Sequence, residues 1–125
     1  MTTAIKEALT SHMVTEFQDP DGAVNYRKLA EGLTLRVKDL SLAVHKTTRS
    51  LEKNYKSKTI QQDLRKILYI WVLLRQMLGS DTSILQWMKS PNPDLDGVAP
   101  IDAVCEGKAE AIIDYLSNIR TGQLS

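Results

Sequence analysis

One cysteine, Cys105, stands among 125 residues. A single thiol excludes an internal disulfide and suits a reducing compartment. The two histidines, His12 and His45, lie far apart without cysteine or carboxylate companions, so no metal site is expected. No glycine-rich phosphate loop is present. Neither an internal repeat nor an alternating strand pattern appears. Long apolar runs are missing too. The longest is Ile67 to Leu74, well short of the roughly 20 residues a bilayer span needs. Met1 to Thr10 carry Lys6 and Glu7 and no apolar stretch, so no secretory leader is expected. What remains is 42% apolar and 25% charged, the composition of an ordinary globular protein. The length suits one domain, or two small lobes, with a real core.

Nearly all of it reads as helix. Ile5, Ala8, Leu9, Met13 and Phe17 form a helical stripe, stopped by the turn cluster Asp19-Pro20-Asp21-Gly22. Asn25 to Leu33 is a second helix, and Val37, Leu40, Ala43 and Val44 mark a third. Thr47 or Thr48 caps a fourth, running to about Tyr55. A long fifth helix starts at Thr59, carries Ile60 to Leu78 and stops at Gly79. Asp81 caps a sixth, with Ile84, Leu85 and Met88 inward. Pro100 opens a short seventh with Ile101, Val104 and Cys105. Ala109 to Arg120 is the eighth, burying Ile112, Ile113, Leu116 and Ile119. The expected fold class is therefore all-α.

Charge is unevenly spread. From Arg36 to Lys66 there are nine basic and three acidic residues, a net of +6. Before that block the balance is three to five, and from Arg75 onward four to seven. A basic block between acidic flanks fits a nucleic-acid face or a solvated helix surface. Within it, Arg36 to Tyr55 reads as helix, tight turn, helix, with Leu40, Ala43, Val44 and Leu51 at the inward places. Such a pair can lay its second helix in the major groove. The residues that would reach DNA are Lys46, Thr47, Thr48, Arg49, Lys53 and Asn54. His45 occupies the turn position where glycine is usual, and Lys46 the next, usually apolar one. The other reading is a scaffold helix pair without an operator.

No catalytic constellation emerges, and an enzyme is not expected. Cys105 sits on a predicted buried helix with no base assigned to it. Asn92-Pro93-Asp94-Leu95-Asp96-Gly97 imitates half a calcium loop, but the twelfth position is Ala103 and Pro100 interrupts. Asp94, Asp96 and Asp102 fall at turn and cap positions. No cofactor is implied.

One stretch remains: Trp87, Pro91-Asn92, Leu95, Gly97, Pro100-Ile101, Gly107, then Ile112, Leu116, Ile119 and Gly122. On these residues the chain resembles the Xre/MbcA/ParS family of type II antitoxins. Asp96 departs from the pattern, because a second glycine is common there. Residues 23 to 78 resemble the family's Xre-like helix-turn-helix half more weakly. The resemblance implies a helix-turn-helix lobe over residues 1–78 and a helical toxin-binding lobe over 79–125. It implies a bacterial, cytoplasmic protein whose partner is a RES-type toxin that consumes NAD, or an ADP-ribosyl-transferase-like relative. Repression of its own operon, as a homodimer on operator DNA, would follow.

A pocket-blocking wedge needs polar groups on a rigid helix, and Arg120, Thr121, Gly122 and Gln123 offer them, with Asn92 in the preceding turn. A frayed terminus is the other reading of that tail. Trp87, Leu116 and Ile119 read as lobe core. The competing functions are a helix-turn-helix regulator whose C-terminal part only dimerises, and an adaptor that has lost DNA contacts.

Overall fold

The structure is a computed structural model that describes Ile5 and residues 15–120. It is all-α. Among the described residues the helices are α1 (Tyr26–Gly32), α2 (Val37–Ala43), α3 (Thr48–Asn54), α4 (Lys58–Leu78), α5 (Asp81–Lys89), α6 (Pro100–Cys105) and α7 (Ala109–Arg120). Single 3-10 turns occur at Thr15–Phe17 and Pro93–Leu95. Two isolated antiparallel bridges, Gln18 with Val24 and Asn92 with Val98, pinch two loops shut. Of the expected first stripe, Ile5 and Phe17 are buried; Ala8, Leu9 and Met13 lie outside the described residues.

α4 is the spine. It is 21 residues long and buries Ile60, Gln61, Leu64, Ile67, Leu68 and Ile70 to Leu74. A run apolar on all sides belongs in the middle of a fold, because no face of it gains from water. α7 lies along α4 in parallel: Lys66 reaches Glu110 at 3.8 Å near one end, and Arg120 donates to Gln76 Oε1 at 3.0 Å near the other. Ile112, Ile113 and Leu116 of α7 join the same buried cluster as Leu64, Leu68 and Leu40. The N- and C-terminal parts thus share one core. No helix among the described residues is long and apolar enough to cross a membrane.

Side-chain caps set the boundaries. Asn25 accepts from Arg27 N and Lys28 N and starts α1. Ser57 caps α4, which starts at Lys58, one residue before the expected Thr59, and Ser80, not Asp81, caps α5 through Ser83 N at 3.2 Å. A hydroxyl one residue earlier already satisfies the free amides, so Asp81 falls in the first turn. There it suits the helix dipole and lies 3.5 Å from Arg75. Pro100 opens α6 as expected. Ile119 and Leu78, expected inward, are exposed, each in the last turn of its helix. Leu85 is half-buried rather than core.

Candidate partner-binding surfaces

The first surface is built on α2, the following turn and α3. Leu40, Ala43, Val44 and Leu51 fix the two helices to the core. Ser41, also buried, ties them together: its hydroxyl donates to Lys38 O at 2.6 Å and lies 3.4 Å from Thr48 Oγ1. His45 takes φ 59°, the left-handed conformation the turn demands. His45 N donates to Leu42 O and Lys46 N to Ser41 O, closing the turn. Thr47 then caps α3 by accepting from Ser50 N at 3.1 Å.

The far end of α3 is clamped as firmly. The Tyr55 hydroxyl donates to Asp19 at 2.6 Å, and Asn25 donates to the other oxygen of the same carboxylate. These bonds, Asn25 first and Tyr55 second, hold the Asp19 carboxyl below its ordinary range. The buried carboxamide of Gln61 accepts from Val24 N and donates both to Val24 O and, at 2.8 Å, to Tyr55 O. Lys56 bonds Asp21 at 3.0 Å, which raises the ammonium's pKa.

Six residues expected to meet DNA are thereby brought onto one helix and its leading turn. Lys46, Thr47, Arg49, Lys53 and Asn54 are exposed, and Thr48 is half-buried. An open concavity lined by Lys38, Ser41, Leu42, His45, Lys46, Thr47 and Thr48 runs alongside. The charge pattern is informative. Arg27, Arg36, Lys56 and Lys66 each meet a carboxylate. Lys46, Arg49 and Lys53 meet none among the described residues. Carboxylates are spent on the clamp, and the cations of α3 are left to solvent.

The second surface is the loop between α5 and α6 with the face of α7 against it. Asn92 N donates to Val98 O, and the Asn92 side chain accepts from Asp94 N at 2.9 Å. Asp96 and Gly97 follow with φ 57° and 80°. Asp96 therefore stands where glycine would be easiest, and a short carboxylate side chain tolerates the left-handed region better than most. Tyr115 of α7 donates its hydroxyl to Asp94 at 2.7 Å, which raises the phenol's pKa. Trp87 stacks on Tyr115 with ring centroids 6.4 Å apart. Trp87 is half-buried, so the expected core residue is instead the cover of this aromatic seam. Tyr115 was not singled out by the sequence; its place one residue before the inward Leu116 was the only signal.

Arg120 is exposed at the C-terminal end of α7, bonded to Gln76. Thr121, Gly122 and Gln123 lie outside the described residues. Cys105 is half-buried, and its thiol is pushed up to about 11, chiefly by burial and then by Asp39, Asp102 and Glu106. A thiol so protonated is a poor nucleophile. Among the described residues no cluster of three or more histidine, cysteine or carboxylate side chains could hold a metal ion.

Residues 73–122 match the family described as the antitoxin Xre/MbcA/ParS C-terminal toxin-binding domain. The chain carries an Xre/MbcA/ParS toxin-binding domain. The match begins inside α4, and runs through α5, the pinched loop, α6 and α7. The domain so defined includes the last turns of the spine against which α7 packs. Within it, Gly79 ends α4 at φ 81°, with Gly79 N bonded to Arg75 O. Comparisons with curated proteins and with solved structures give no match.

Proposed function

We propose that the protein is the antitoxin of a type II toxin–antitoxin pair, and that it neutralises its toxin through the toxin-binding domain. The match over residues 73–122 is the observation that carries this reading. The toxin is proposed to be a RES-type, NAD-consuming protein or an ADP-ribosyl-transferase-like relative. Asn92, Arg120, Thr121, Gly122 and Gln123 are proposed to contact it, with Arg120 meeting an acidic wall of its pocket. The work is binding, not catalysis, and no cofactor is required. The setting is bacterial cytoplasm.

Residues 79–125 are assigned to the toxin and residues 1–78 to DNA, with the end of α4 serving as scaffold to both. In the first lobe, α2 and α3 act as a helix-turn-helix. Lys46, Thr47, Thr48, Arg49, Lys53 and Asn54 face the operator, and two copies of the chain read two half-sites. The support is the set of α3 cations that have no carboxylate partner among the described residues. Such a face attracts phosphates, which neutral pairing would have prevented.

Co-expression tests the reading. The full chain should restore growth to cells making the product of the adjacent toxin gene. The chain lacking Arg120 to Ser125 should rescue less well while keeping its helical circular dichroism. Undiminished rescue by that truncation would assign the blocking to the helical face instead of the tail. No rescue by the full chain would remove the antitoxin reading.

A further inference from the structure

α2 and α6 pack against each other, so the leading turn of α3 sits beside the turn that joins α6 to α7. The two turns interlock at one point. The His45 ring lies over Gly107. A β-carbon on Gly107 would fall 2.6 Å from His45 Nε2 and closer still to Cε1, so any side chain there displaces the exposed ring from its seat. Gly107 has φ 85° and His45 φ 59°, so two left-handed turn residues face each other across the lobes. The His45 ring is exposed and makes no hydrogen bond among the described residues; it rests against Gly107 on one side and lines the open concavity beside α3 on the other. Asp39, one helix turn before the end of α2, also lies near enough to Cys105 of α6 for its charge to be felt there. The turn that aims Thr47, Thr48 and Arg49 therefore rests on the toxin-binding domain.

We propose that His45 is a positioning residue for DNA binding and that Gly107, within the toxin-binding domain, is its seat, so that this domain sets the pose of α3 on the operator. The proposal rests on the DNA-binding reading above. It explains why an imidazole occupies a turn position that glycine would fill with less strain. It also has a thermodynamic consequence. Anything that binds the toxin-binding domain and shifts the α6–α7 turn changes DNA affinity, and DNA changes its affinity by the same factor.

A double-mutant cycle tests it. The full chain, H45G, G107A and the H45G/G107A pair are each titrated with a duplex spanning the region upstream of the protein's own gene. An R49A variant is the control, and thermal melting by circular dichroism reports folding. H45G fits the left-handed turn and keeps the fold, yet is expected to bind about five-fold more weakly, the low end of couplings between sites. G107A drives its methyl into the ring and is expected to lose about five-fold or more. With the ring gone, the same methyl should cost less than about two-fold further, although the backbone strain at position 107 remains. H45G binding as tightly as wild type, or losses that add in the pair, would overturn the proposal. A wild-type chain that does not bind the duplex would overturn the DNA reading, and this inference with it. Wild-type binding that R49A weakens, beside an additive cycle, would spare that reading and remove only the role of His45.

Discussion

Trp71 is 2% exposed, with its ring edge-on to Phe17 at 5.4 Å and the Arg75 guanidinium over it at 5.8 Å. Its burial was legible because it stands inside the apolar run from Ile67 to Leu74. Replacing it with alanine should cost roughly 3 to 5 kcal/mol, a large part of a small domain's stability. A thermal melt unchanged in Trp71→Ala would contradict the placement of α4. Gln61 was not legible in the same way. Nothing local marks it as buried, because besides Tyr55 O the groups it bonds lie 37 residues away at Val24. Asp19 is another long-range residue, and it makes the clamp pH-sensitive. Its hydrogen bonds lower the folded pKa below the ordinary 3.8. Its contribution is therefore complete above that value and lost as pH falls through the lower folded one. Stability measured from neutral to acid pH should decline less in Asp19→Asn than in wild type across that window, and parallel curves would contradict the clamp. On the open face, Arg49→Ala should lower operator affinity by about 1 to 3 kcal/mol if it reaches a guanine edge. Lys53→Ala should weaken all sequences alike and flatten the salt dependence by about one unit. Binding isotherms at several salt concentrations would show both, and wild-type behaviour in both would reduce the basic block to a solvated surface.

Periodicity carried the helices, and their types were read correctly from Asn25 to Arg120. Local chemistry decided the ends, and there the sequence offered competing answers. Ser80 and Asp81 are both good caps, and only the geometry of Ser83 N chooses between them. The seam of Trp87, Tyr115 and Asp94 was hidden for a different reason. It joins a loop to a helix distant in sequence, and neither segment shows a periodic signal for the pairing. Packing of α7 on α4 yields a prediction about parts. A fragment starting at residue 80 lacks α4 and leaves Ile112, Ile113 and Leu116 without the face they bury against. It should show no cooperative melt, whereas the full chain should. A cooperatively folding 80–125 fragment would mean that α5, α6 and α7 close a core without the spine.

Across the whole molecule, charge was the clearest message of the sequence. The acidic flanks and basic centre become a clamp that consumes carboxylates and a helix face that keeps its cations. The shared core was less visible, since a split near residue 78 follows the glycine that ends α4, while the packing runs across it. The same continuity places the helix-turn on the toxin-binding domain. Whether that domain acts on a toxin is the central claim, and one measurement addresses it. The purified chain is titrated into the purified product of the adjacent gene while NAD loss is followed. The account predicts a stable complex and NAD consumption that stops at a fixed ratio of the two proteins. Undiminished NAD loss, with the two proteins eluting apart in size-exclusion chromatography, would contradict it.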